Sequence, residues 1–183
     1  NNYSVTVGKA GELTIVNPLI EVTPPTDTEF TYNGKPQGSS GISVKAPEGI
    51  PTNIKYGTKS NEVNLDSVPK FTDAGTYRIY YKVSSDNSTK IENGSFEIKI
   101  NKKIIYKDDI IWENTSFVYD GQPHIPTAKY VDVNGNTVTL HVDSAEEIKA
   151  GEHYAEASVP SSNYEFDPAN RLVARSTKFT ILK

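Results

Sequence analysis

Apolar residues occupy alternate positions over most of the chain, as in Tyr3, Val5 and Val7, in Phe96, Ile98 and Ile100, and in Phe179 and Ile181. Successive side chains of a strand point to opposite faces, so a period of two describes strands buried on one side. Breakers separate the runs at 8–11, Pro24 and Pro25, Asn33 and Gly34, 47–51, Asn93 and Gly94, and Asn134 and Gly135. Asn134 and Gly135 tolerate the positive φ angles of a type I′ turn, which predicts a hairpin joining 129–133 to 137–142. Only the segment 144–149 suggests a helix, of one or two turns. The pattern predicts an all-β chain.

A repeat divides that chain. Phe30, Tyr32, Asn33, Gly34 and Pro36 return 87 positions later as Phe117, Tyr119, Asp120, Gly121 and Pro123. Asp73, Ala74, Gly75, Thr76 and Tyr77 return as Lys149, Ala150, Gly151, Glu152 and, one residue late, Tyr154. Each copy then closes with an alternating run, 96–100 or 179–182. The division expected is a first module over 18–102 and a second over 103–183, joined near 101–103. So short a connection implies limited hinge freedom and an end-to-end pair. Residues 1–17 read as a strand pair from a preceding module or as a hairpin added to module one, because Asn2 and Tyr3 before Leu13, Thr14 and Ile15 match Asn163 and Tyr164 before Phe179, Thr180 and Ile181. The fold expected is two tandem immunoglobulin-like β-sandwich modules of about seven strands each. β-grasp-like modules with one short helix each are the alternative, with 144–149 as the helix.

The segments Phe-Val-Tyr-Asp-Gly-Gln-Pro (117–123) and Phe-Thr-Tyr-Asn-Gly-Lys-Pro (30–36), the Ala-Gly-x-Tyr stretch (74–77) and the Asn-Tyr pair before the final strand resemble the YDG or MBG-type repeat modules of bacterial surface proteins, in the bacterial Ig-like class. The resemblance spans nearly the whole chain. It implies a secreted, often wall-anchored protein in which such units act as spacers or as carbohydrate- or mucin-binding units. Asn33 departs from the usual Asp, and the first module lacks the Asn-Tyr pair before its closing run.

Composition narrows the chemistry. The net charge of -4 and a sequence pI near 5.4, with scattered lysines, offer no field for a phosphate backbone, so nucleic acid is not an expected partner. No apolar run reaches the roughly 20 residues of a membrane-spanning helix. Cysteine is absent, which removes thiolate metal sites and cysteine nucleophiles and tilts the setting toward a bacterial exterior.

The expected function is therefore that of non-catalytic stalk or spacer modules of an adhesin-like protein at the bacterial cell wall. Such modules would be monomeric, free of cofactor and metal, and partnered by neighbouring repeats. The rival is a module that binds a glycan or host surface protein through exposed aromatics or end loops. Consecutive Tyr80 and Tyr81 must send one ring outward if both lie on one strand, which makes that ring, or Tyr130, the candidate stacking surface. Trp112, after Ile110 and Ile111, reads as core. Tyr32, Asn33 and Gly34, with Tyr119, Asp120 and Gly121, read as turn scaffolding: an amide or carboxylate oxygen caps nearby backbone N–H groups while glycine takes the conformation a Cβ would penalise. Gly75 and Gly151 read as tight turns feeding core strands, with Tyr77 and Tyr154 as tyrosine corners bonded back to main chain. His124, His141 and His153 lack metal-ligand spacing and read as surface or turn residues.

Overall fold

The computed structural model describes residues 4–7, 13–16, 20–48, 50–85, 88–143 and 147–183, and the side chains of those from residue 20 onward other than 88–91. The fold is all-β, with one short α-helix among the described residues. It comprises two compact units. Unit 1 is Asn1–Phe30, Pro36–Phe71 and Gly75–Lys99; unit 2 is Thr31–Lys35, Thr72–Ala74 and Ile100–Lys183.

The first repeat contains β1 (Ser4–Val7), β2 (Leu13–Val16), β3 (Glu21–Thr23), β4 (Glu29–Thr31), β5 (Ser43–Lys45), β6 (Asn53–Gly57), β7 (Gly75–Ser85) and β8 (Ser88–Asn101). β1 pairs antiparallel with β2, Ser4 opposite Val16, and β3 pairs antiparallel with β5, Val22 opposite Val44. The other strands form a sheet in the order β4-β8-β7-β6. Alternation works here as the pattern requires: Phe96, Ile98 and Ile100 of β8 are buried, while Glu97 and Lys99 between them are exposed. Ile79 and Val83 of β7 are fully enclosed. Tyr81 lies across β8 where residue 94 is glycine, and a Cβ there would overlap its ring.

The second repeat contains β9 (Lys103–Ile105), a 3-10 turn (Lys107–Asp109), β10 (Ile111–Glu113), β11 (Ser116–Val118), β12 (Thr127–Val131), β13 (Thr137–Thr139), β14 (His141–Asp143), β15 (Gly151–Ser158), β16 (Tyr164–Phe166), α1 (Arg171–Arg175) and β17 (Ser176–Leu182). Its sheets run β10-β12-β13, β11-β17-β15-β14, and the parallel pair β9-β16. The four-stranded sheets of the two repeats have the same order. In the second, β11 runs parallel to β17, Ser116 opposite Thr180 and Val118 opposite Leu182. The bonds at its ends, Thr180 N–H to Thr115 O at 3.0 Å and Tyr119 N–H to Leu182 O at 2.9 Å, recur in the first repeat as Lys99 to Thr28 and Tyr32 to Asn101, both 2.8 Å.

The core of unit 2 sets small against large. Ala157 of β15 is buried among Tyr130, Tyr164, Phe166 and Leu140, and Ala155 of the same strand lies with Phe179 and Ile181. Trp112 is half-buried and packs on both clusters. Interiors reach crystal-like density only when bulky rings face small residues, which is what the two alanines supply.

Two local expectations change. The hairpin forms over 129–139, while His141 and Val142 pair instead with β15, and its turn is not type I′: Gly135 alone takes positive φ, at 84°, and Asn134 does not. The carboxylate of Asp132 accepts from the N–H groups of Asn134 and Asn136, and the Gly135 N–H donates to Asp132 O at 3.0 Å. The loop is thus a three-residue one closed by a left-handed glycine, the next commonest hairpin connection. The short helix of the described residues is Arg171–Arg175, and 147–149 are not helical. Residues 144–146 lie outside the described residues, and Glu147 forms an isolated antiparallel bridge with His124.

Replacing fully enclosed Ile98 by Ala should cost about 3 kcal/mol, read from denaturant unfolding by circular dichroism. Lys99→Ala, one position along on the exposed face, should stay within about 0.5 kcal/mol of the parent.

Candidate functional site

The sharpest motif is spent on two equivalent turns. After β4 the Lys35 N–H donates to Asn33 Oδ1 at 2.9 Å, and after β11 the Gln122 N–H donates to Asp120 Oδ1 at 2.9 Å. Gly34 and Gly121 sit at φ 74° and 79°, where a Cβ is penalised. Tyr32 is half-buried, whereas Tyr119 is 53% exposed. The backbone N–H of Gln122 and then the His124 ring, 2.9 Å away, hold the Asp120 carboxyl below the usual carboxylate range.

The second motif departs from its expected form. Gly75 and Gly151 begin β7 and β15. Counted from those glycines, the position of Tyr77 is taken in the second repeat by His153, not by Tyr154. Tyr154 is 71% exposed, so it is no tyrosine corner: alternation turns the residue after His153 to the opposite face. Tyr77 stacks on Phe71, ring centroids 3.8 Å apart and nearly parallel. At the matching place His153 Nδ1 lies 3.3 Å from Glu147 Oε2, and its Nε2 lies 2.8 Å from Lys149 O.

His124 and His153 are consequently not plain surface residues. Their side chains are only 16% and 14% exposed, the first stacked on Phe117 and the second tilted against Phe179. His141, by contrast, is exposed and 3.0 Å from Asp143. Each histidine has its own carboxylate. Among the described residues no group of three or more His, Asp or Glu side chains is placed to hold a metal ion.

The aromatic candidates separate. Tyr130 is 2% exposed, its ring 5.2 Å from that of Tyr164 in an edge-to-face pair, and burial pushes its phenol up to about 12. A ring so enclosed cannot stack on a sugar, which corrects the reading of Tyr130 as a ligand residue. Tyr80 and Tyr81 are half-buried and border one groove of about 300 Å³ with Ser60, Val63 and Asn93. A hollow of about 390 Å³ shares those last three residues and adds Asn61 and Lys82. Exposed ring area beside hydroxyl and amide groups is the chemistry a sugar uses.

Unit 2 has a cleft of about 400 Å³ that no motif announced. Lys102, Arg171 and Arg175 border it with Glu165, Tyr164 and Phe166. Arg175 is ion-paired to Glu156, and among the described residues its buried Nε has no hydrogen-bond partner. The three basic residues lie far apart in sequence or a turn apart on α1, so no local spacing signalled them.

Gly121→Ala should lower the stability of unit 2 by about 1 kcal/mol, the cost of a Cβ at left-handed φ. Gly34→Ala should cost about 1–2 kcal/mol, because φ is again left-handed and the exposed Asn134 side chain, whose Oδ1 would stand 2.7 Å from the Cβ, can swing aside. Both are read from denaturant unfolding followed by the fluorescence of Trp112, the sole tryptophan. Because the Asp120 carboxyl is lowered in the folded state, its stabilisation is complete above the unfolded value of about 4 and is lost as pH falls through the folded value. The stability difference between the parent and Asp120→Asn should therefore shrink toward acid in unfolding midpoints measured between pH 6 and pH 2.

Compared with protein-family models, with curated proteins and with solved structures, the chain has no match in any of the three.

Proposed function

We propose that the chain is a pair of non-catalytic, load-bearing spacer modules from a secreted or wall-anchored bacterial surface protein, holding a functional domain away from the cell. The observation that carries this reading is the parallel pairing of β11 with β17. Tension that enters at the start of β11 and leaves at the end of β17 pulls along both strands in opposite senses. It shears their hydrogen bonds together, whereas an antiparallel terminal pair would open one bond at a time. The matching bonds of β4 and β8 repeat the device.

The same pattern supports the immunoglobulin-like reading of the modules. The opening stretch of the second repeat divides between two sheets, β10 pairing with β12 and β11 with β17, as expected of a sandwich whose edge strand crosses over. The location outside a bacterial cell rests on the resemblance to YDG and MBG-type modules and on a chain that folds without cysteine. A specific observation favours a second reading: the groove at Tyr80 and Tyr81, with Ser60 and Asn93 on its border, suits a glycan.

In single-molecule stretching, Tyr119→Ala keeps the N–H that bonds Leu182 O and should leave the unfolding force of unit 2 near that of the parent. Tyr119→Pro removes that N–H and should lower the force clearly; equal forces for the two variants would defeat the load-bearing reading. The second reading is checked on a glycan array with the parent and a Tyr80→Ala, Tyr81→Ala double variant. It predicts spots bound by the first and lost with the second, and a blank array for the parent would dispose of it.

A further inference from the structure

Unit 2 contains both a covered and an uncovered version of the same surface. In the covered version, the ring of Tyr32 lies 5.3 Å from that of Tyr164, edge to face, and packs on the cluster that holds Tyr130. Gly34 meets Asn134 and Val133, at 2.7 Å and 3.1 Å from the place of a Cβ. The Asn163 side chain accepts from the Ala74 N–H at 2.7 Å and donates to Asp73 Oδ1 at 2.9 Å. The Tyr164 hydroxyl accepts from the Val133 N–H at 2.9 Å, which fixes the ring that meets Tyr32.

The uncovered version is made of the corresponding residues of the second repeat. Tyr119 stands in the place of Tyr32, Gly121 of Gly34, and Ala150 of Ala74. Tyr119 is 53% exposed, and beside it Val118 and Leu182, opposite one another in register, are 67% and 51% exposed. Among the described residues, a Cβ at Gly121 would meet nothing within 4 Å. Ile148 and Ala150 are exposed as well. Exposed rings and aliphatic side chains grouped on one end of a fold mark an interaction surface.

We infer that this face, formed by Val118, Tyr119, Gly121, Ile148, Ala150 and Leu182, docks a further copy of the same repeat. That copy lays its own counterparts of Tyr164, Asn163 and Asn134 on Tyr119, Ala150 and Gly121. The inference rests on the spacer reading only in supposing that such repeats follow one another. A second molecule of this chain is not the occupant, because its Tyr164 and Asn163 are already engaged by Tyr32, Asp73 and Ala74. The occupant is a repeat whose counterparts of Asn163 and Tyr164 are free. One position adds selectivity: Lys149 replaces Asp73, so the side chain matched to it is a pure acceptor, Asp in the place of Asn163.

The test extends the full chain after Lys183 with a second copy of 102–183, made once as it stands and once with Asn163→Asp in the appended copy. Amide exchange at Ala150 and the ring resonances of Tyr119, followed by NMR, are compared with the unextended chain. The expected result is at least tenfold slower exchange at Ala150 and shifted Tyr119 ring signals, with stronger protection for the Asp version. Gly121→Asn, which tolerates left-handed φ and has open space in the unextended chain, should abolish both effects in the extended one. Unchanged exchange and ring signals in both extended chains, or an appended copy that does not fold, would overturn the inference. Neither outcome would alter the unfolding force of unit 2 in the unextended chain, so the spacer reading stands or falls separately.

Discussion

The structure depends on how a repeat ties its opening strand to its closing one. β11 is three residues long and must leave the sheet immediately, yet the amide that follows it, that of Tyr119, still reaches Leu182 O. The chain can turn away at that point because Asp120 caps the Gln122 N–H and Gly121 accepts a positive φ. The first repeat makes the same bonds with Tyr32, Asn33 and Gly34. The Tyr-Asn/Asp-Gly motif is the price of joining the two ends of a module within one sheet.

With that tie made by backbone, side chains around it are free to change character. In the first repeat Gln37 bridges Phe71, whose ring stacks on Tyr77; in the second His124 bridges Glu147, which pairs with His153. An aromatic pair and an acid–histidine pair occupy the same place on the same ladder. The exchange is tolerated because the main-chain bonds, 2.8 Å in one repeat and 3.0 Å in the other, hold the strands in register whichever pair sits above them. It also places an imidazole and a carboxylate beside Phe179 in the core of the second module.

The surfaces with binding chemistry lie outside the repeated motifs. The groove at Tyr80 and Tyr81 borders on Ser60 and Asn93, and the basic cleft of unit 2 draws on Lys102, Arg171 and Arg175, none of which belongs to the repeated turn motifs. A scaffold kept by a few turn residues leaves the rest of its surface free to acquire or lose a ligand, which is why fold alone does not assign one. The repeated residues serve the fold, and the contrast between covered Tyr32 and exposed Tyr119 shows one of them serving contact between repeats as well.

The sequence by itself determined the class, the repeat and the Tyr-Asn/Asp-Gly turns. Period-two alternation is local, so Phe96, Ile98 and Ile100 announced a half-buried strand without knowledge of its neighbours. Positive φ at Gly34 and Gly121 is local too, and so were the amide caps of Asn33 and Asp120. Tertiary structure decided whatever depends on a partner distant in sequence. It enclosed Tyr130 against Tyr164, turned Tyr154 outward while His153 took the inner place, and made the Asn134–Gly135 loop one residue longer than its dipeptide suggests, because Asp132 captures two amides there. Alternation states that neighbouring residues face opposite ways; only packing against another strand settles which way is in.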